Sequence, residues 1–386
     1  MKKVRIVFTV MIIILIFLPM LLKLFPINIK SKDLAGMKIE ALRPIFSYES
    51  FKNGEFQSGF IKYFNENLPL RSEYVRLANQ IYYSFFNKSY MYSNNLIIGK
   101  NEQIYEKGYL DYYVKNNLND KELAELTSKL EKTQKKLKEN GKTFILLITP
   151  NKASIMPEFV PTPYQPFMYK KDLPYERFRR LLNSSEINFV DGQEITQKAK
   201  ESSDNILFSK GGTHWNTYAA SLTLNQLILK INKLTEKNLQ EIKIEKILKD
   251  NIPIDNEDDI YKLLNIIKKP SYECLHPQWE KNTIDDSMST TFITGSFSGM
   301  IVQVIRENMF DNKKMLFDPI DYSFYYRRSR LFFEKKDVKE LITFDKLNEN
   351  EWKKAILDND LIILELNSSM PVDHVNAFID AVEANL

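Results

Sequence analysis

The first long apolar run spans Ile6 to Leu22, broken only by Thr9 and carrying Pro19 near its far end. Lys2, Lys3 and Arg5 precede it. Such a run just meets the ~17-residue minimum for a helix that crosses a bilayer. It ends Leu-Leu-Lys-Leu-Phe-Pro, without the small-residue step at which a signal peptide is cut. An uncleaved signal anchor over residues 1–25 is therefore expected. The basic cluster should stay in the cytoplasm, which places the rest of the chain outside.

Residues 26–50 carry little periodicity and read as a tether. Helical spacing follows, with Phe60, Tyr63 and Phe64 in one group and Val75, Leu77, Ala78, Ile81, Tyr82 and Phe85 in another. Asn67-Leu68-Pro69-Leu70 separates them, because proline disfavours helix at the preceding residue. Leu96 to Tyr105 reads as two short strands around Gly99-Lys100-Asn101. A charged amphipathic helix is predicted over 120–139, with Leu123, Leu126, Leu130 and Leu137 on one stripe.

The pattern then changes to short apolar runs alternating with helical stretches. Phe144–Ile148, Ile187–Gly192, Thr291–Thr294 and Leu361–Glu365 are the predicted strands. Helices are expected at Tyr175–Leu182, Thr217–Leu229, Gly299–Glu307 and Val372–Leu386. This alternation predicts a three-layer α/β domain with a mostly parallel sheet over 51–386, reacting groups gathering at the C-terminal strand edges. Charged, helix-like residues at about 234–290 interrupt it and read as an inserted helical segment.

Composition narrows the function. Fifty-four basic against 50 acidic residues leave a net charge of +4, with no basic excess gathered as nucleic-acid binding requires. The single cysteine, Cys274, permits neither an internal disulfide nor a cysteine-based metal site. Three scattered histidines match no metal-ligand spacing, so no metal and no cofactor are expected.

Ser296 stands in Thr294-Gly295-Ser296-Phe297-Ser298-Gly299, between a predicted strand and a helix. A serine there is exposed at the sheet edge, near a helix N-terminus that stabilises developing negative charge. Thr294 stands where the Gly-x-Ser-x-Gly elbow has glycine, so this is a different turn. A serine nucleophile needs a base, and imidazole is the usual one. His214, in Gly211-Gly212-Thr213-His214-Trp215-Asn216 before a helix, is the first choice. His374, after the last strand, is the rival, and His276 reads as a surface residue. Asn151 and Lys152, at the tip of the first core strand, are candidate substrate-binding groups. Tyr325 and Arg327, within the cluster Tyr322, Tyr325, Tyr326, Arg327 and Arg328, could stack on sugars. Glu365 reads as a structural acid at a sheet edge.

The Thr-His-Trp-Asn loop and the later Gly-Ser-Phe-Ser turn resemble the SGNH-hydrolase-like domain of alginate O-acetyltransferase family proteins. Pro69-Leu70-Arg71, the 98–105 segment and Thr149-Pro150-Asn151-Lys152 agree with that family in the same order. The resemblance spans roughly 60–300. It implies a membrane-anchored O-acetyltransferase that decorates exported polysaccharide through an acetyl-serine. A membrane-bound O-acyltransferase would be the acetyl donor, with Ser296 as nucleophile and His214 as base.

The family's triad acid comes two residues before the histidine, where this chain has Gly212. Three expectations follow. Asp204, Asp285 or Asp286 reaches His214, or a backbone carbonyl supports a Ser-His dyad, or the protein is a degraded relative that binds or assembles. An esterase of the same fold is a further alternative to the transferase.

Overall fold

The computed structural model describes residues 2–24, 32–37, 42–90, 95–115, 118–169, 172–281, 283, 286–307, 315–324, 327–331, 338–340 and 356–386. These fall into two compact units, Met1–Ile98 with Ile260–Pro270, and Gly99–Asp259 with Ser271–Leu386.

The first unit is helical: α1 (Lys2–Leu24), α2 (Tyr48–Lys52), α3 (Glu55–Glu66) and α4 (Arg71–Phe86), followed by the short strand β1 (Leu96–Ile98). The break around Pro69 falls where the sequence predicts it. Over Lys3–Leu22, α1 is long and apolar enough to cross a membrane or to serve as a signal.

The second unit opens with β2 (Ile104–Glu106), α5 (Lys107–Lys115) and α6 (Asp120–Glu139). Strand and helix then alternate through β3 (Thr143–Thr149), α7 (Lys152–Ile155), α8 (Gln165–Met168), α9 (Pro174–Asn183), β4 (Phe189–Asp191), α10 (Gly192–Ser202) and α11 (Thr217–Leu234). After β5 (Ile244–Asp250) comes α12 (Asp259–Leu263), of which Asp259 belongs to this unit and Ile260 onward to the first, and then β6 (Cys274–Trp279), β7 (Met288–Thr294) and α13 (Ser298–Glu307). The chain ends with β8 (Phe317–Phe324), β9 (Arg327–Leu331), β10 (Val338–Glu340), β11 (Leu361–Asn367) and α14 (Asp373–Asn385).

The main sheet has the order β10-β9-β8-β7-β11-β3-β4. Strands β8, β7, β11, β3 and β4 run parallel, while β9 and β10 add an antiparallel edge. Every residue of β11 is buried, because a parallel sheet covered on both faces needs apolar side chains pointing both ways. Successive residues alternate faces. Ile145 and Leu147 of β3 therefore join α11 and α13 in one core, through Leu224, Leu227, Ile301 and Val304. Phe144, Leu146 and Ile148 join α6, α9 and α14 in the other, through Leu130, Phe178, Phe378 and Val382. These are the three layers that the alternation predicts.

Between 234 and 290 the structure differs from the expected helical insertion. The segment holds the antiparallel pair β5–β6, with little helix among its described residues beyond α12 and the single turn Asp255–Glu257. Its charged side chains sit on an exposed two-stranded ribbon, where backbone pairing does not depend on a helical stripe.

Candidate active site

Parallel strands present their C-terminal ends on one edge of the sheet, and the chemistry-bearing residues collect there. Ser296 lies in the turn between β7 and α13. Its neighbours Thr294, Gly295, Phe297 and Ser298 are buried, whereas Ser296 is half-exposed. A buried carboxylate fixes the turn. Register pairs Leu364 with Ile293, which sets Glu365 beside Thr294. Glu365 Oε2 accepts from the Thr294 hydroxyl, from the Ser298 amide at 3.1 Å and from Ser298 Oγ at 2.8 Å. Thr149 Oγ1 donates to Oε1 at 2.9 Å. These donors give the buried anion the hydrogen bonds it needs. Glu365 thus holds both flanks of Ser296 and is a structural acid, as its place in the sequence suggests.

His214 comes from the loop leading into α11. Asn216 caps that helix by accepting from the Ala219 amide at 3.0 Å. Trp215 is fully buried, and its Nε1 donates to the Phe297 carbonyl at 2.9 Å. The His214 ring packs on the Phe297 ring at 4.8 Å between centroids. The His214 loop and the Ser296 turn are thereby joined at the residue following Ser296. Tyr109 of α5 meets Phe297 edge-on from another side.

The carboxylate that meets His214 comes from a residue that sequence reasoning missed. Asp259, at the start of α12, accepts the Thr213 amide on Oδ1 at 3.1 Å and holds His214 Nδ1 at 2.9 Å with Oδ2. With Nδ1 facing the carboxylate, the lone pair is left on Nε2. That atom is buried and has no hydrogen-bond partner among the described residues. Gly212 fits the same arrangement. A Cβ there would stand 2.4 Å from the Asn256 carbonyl oxygen and 3.1 Å from Glu257 Cα. The backbone that delivers Asp259 fills the space an aspartate at 212 would need. The Ser209 hydroxyl donates to the Glu257 carbonyl at 2.6 Å, closing the two segments together.

Of the expected acids, neither Asp204 nor Asp286 takes this place. Asp286 binds Lys237 and the Asn238 amide. Asp204 lines a cavity of about 460 Å³ with Lys200 and Glu158. Asp285 lies outside the described residues. The rival base His374 approaches the Glu365 carbonyl through Nε2 at 2.7 Å, and His276 pairs with Asp250 on the β5–β6 ribbon.

Lys152 is not placed to meet a polymer. It is 4% exposed, and its Nζ donates to the carbonyls of Ile104, Ser209, Lys210 and Gly212 at 2.8–3.0 Å. Burial pulls its ammonium down to about 7, Asp259 pulls it up, and the carbonyl cage itself favours the charged form. Its role in this geometry is to gather the loop before His214. Asn151 caps α7 through Oδ1, and its buried Nδ2 is left without a partner among the described residues. It lies two strand spacings from β7, about 10 Å across the sheet. Tyr325 lies outside the described residues. Arg327 opens β9, and its side chain is likewise outside them. Glu106, at the end of β2, also borders His214: burial raises its carboxyl, while Thr213 and then His214 lower it.

Residues 97–290 match the family model of the SGNH hydrolase-like domain of the acetyltransferase AlgX. No curated protein matches the chain. Among solved structures, the O-acetyltransferase domain of Pseudomonas putida AlgJ is similar, at 14% identity and a TM-score of 0.44, over 76% of this chain and 99% of that one. Pseudomonas aeruginosa AlgX follows at 10% identity and a TM-score of 0.44, over 75% of this chain and 67% of that one. Bacillus cereus PatB1 gives 11% identity and a TM-score of 0.37, over 66% and 92%.

Proposed function

Because the chain belongs to the family of AlgX-type SGNH hydrolase-like acetyltransferase domains, we propose that it transfers acetyl groups through Ser296 to hydroxyls of a cell-surface or exported polysaccharide. The observation that carries this reading is the Asp259–His214 pair, whose ring packs on Phe297 beside Ser296 and whose Nε2 has no partner among the described residues.

In the first half-reaction His214 Nε2 takes the Ser296 proton while Oγ attacks the acetyl carbonyl of the donor. The donor group leaves with that proton, and acetyl-serine remains. In the second, Nε2 takes the proton of a sugar hydroxyl, whose oxygen attacks the acetyl-serine. The C–Oγ bond breaks, the acetylated sugar departs, and Oγ recovers its proton from the imidazolium. Asp259 holds the ring with Nδ1–H inward and stabilises the imidazolium formed in each half. The α13 N-terminus supports the negative charge that develops above the turn.

The donor in this reading is a membrane-bound O-acyltransferase that passes acetyl groups across the bilayer. The domain works on the extracytoplasmic side, held by α1. The full-length chain in detergent micelles should form a +42 Da adduct (one acetyl for one hydrogen, about 42 Da) on Ser296 with an activated acetyl ester, and Ser296→Ala should not. Absence of the adduct in the wild type, under conditions where the protein is folded, would overturn the enzymatic reading.

A further inference from the structure

The segment 44–66 forms two helices with no core of their own. No residue of α2 or α3 is buried. A helix of α3's length is marginal in water without a packed face. Yet both helices are specified locally. Ser47 and Ser50 form a reciprocal capping box at α2, and Gly54 opens α3 from the left-handed region. On α3, Phe56, Phe60, Tyr63 and Phe64 share one face, with Ser58, Lys62 and Asn65 opposite. The rings continue as a ladder: Phe46 meets Phe51 at 5.8 Å and Phe56 at 5.2 Å, then Phe56–Phe60 follow at 6.1 Å and Phe60–Phe64 at 6.4 Å. Phe46 is 62% exposed, Phe51 49% and Phe60 44%. Ile45 and Leu42 beside them are 90% and 88% exposed. An apolar surface of this kind marks an interaction site.

We infer that this aromatic face lies in the outer interface of the bilayer, with its rings at the boundary of headgroups and acyl chains. Two observations choose lipid as the occupant. Residues 25–54 alone separate α3 from the apolar helix Lys2–Leu24, so a chain anchored by that helix holds the face near the bilayer at high effective concentration. Phenylalanines on one side of a short helix with a polar opposite face form an interfacial pattern. Charge adds a sharper expectation. Within 42–66, Arg43, Lys52 and Lys62 are balanced by Glu49, Glu55 and Glu66. Insertion then rests on apolar area and not on anionic lipid, so neutral phosphatidylcholine is a sufficient surface and salt has little effect. The inference shares only the membrane location with the proposed function, and acetyl-serine formation is read independently of it.

The test uses the full chain in nanodiscs of pure phosphatidylcholine. Cys274 is the only cysteine and is buried, so a nitroxide can be placed through Phe60→Cys or, as control, Ser58→Cys. The label at 60 should collide with oxygen in preference to a water-soluble nickel chelate roughly fivefold more than the label at 58. Equal nickel access at both sites overturns the inference, as does shielding of position 60 from both reagents, which would indicate a protein occupant. In the unsubstituted chain, a phosphatidylcholine with a carbene precursor in its acyl chain should label residues 46–64 on illumination. Labelling confined to 3–22 would refute the inference without any substitution.

Discussion

Replacing Asp259 by asparagine probes the arrangement around His214 most directly. The side chain keeps its size, and its carbonyl oxygen can still accept the Thr213 amide that now lies 3.1 Å from Oδ1. The other terminus becomes an NH₂ facing His214 Nδ1, where a carboxylate oxygen stands at 2.9 Å. A donor there favours the tautomer with hydrogen on Nε2, which removes the lone pair that would take the serine proton. In serine proteases the equivalent change costs ~10⁴ in turnover. Asp259 is more open to water, its side chain 28% exposed, so its charge is better screened. A fall in kcat of roughly 10²–10³ is expected, about 2.7–4.1 kcal/mol at ~1.36 kcal/mol per decade. KM should change little, because both carboxylate oxygens of Asp259 are engaged by the Thr213 amide and His214. The assay is steady-state release of 4-nitrophenol from its acetate by the full-length chain in detergent, alongside its thermal unfolding. A variant within threefold of wild type would refute the assignment. A loss of activity matched by a comparable loss of stability would make Asp259 structural.

Gly212→Ala forces a Cβ to 2.4 Å from the Asn256 carbonyl, a backbone atom that cannot swing aside. It should cost ~1–3 kcal/mol in chemical denaturation and lower turnover further by displacing Asp259. Lys152→Met leaves four carbonyls without their shared donor and should destabilise by about 3 kcal/mol or more, read from the unfolding midpoint. Glu106 is a carboxyl raised chiefly by burial, so folding favours its neutral form. Its unfavourable contribution is absent well below the ordinary carboxylate range and grows as pH rises towards the raised value. Glu106→Gln should therefore raise the melting temperature near pH 8 and leave it unchanged near pH 4, and an equal shift at both would refute the electrostatic cause.

The reading from sequence succeeded where periodicity is a local property. Phe144–Ile148 and Leu361–Glu365 announce buried strands because both faces of a covered parallel sheet must be apolar. Pro69 announces a helix break because its ring excludes the conformation before it. Ser296 and His214 were visible as a turn and a loop flanking predicted elements, and the structure brings their neighbours together through Trp215, Phe297 and Glu365. The same reasoning misjudged Lys152, because a lysine at a strand tip looks solvent-facing until the loops folded around it are known. It also gave 234–290 to helices, since charged residues suit an exposed ribbon as well as a helix surface.

Asp259 marks the boundary between the two kinds of knowledge. Nothing in Glu257-Asp258-Asp259 distinguishes it from the other acidic residues of the chain, and it lies 45 positions from its histidine. The sequence by itself determined the layers of the fold, the apolar N-terminal helix, the turn that bears Ser296 and the glycine at 212. Each of these is written in the order of neighbouring residues. Tertiary structure decided which carboxylate stands against His214 and why a side chain at 212 has no room. Both depend on two distant backbones competing for one volume, which no local pattern encodes.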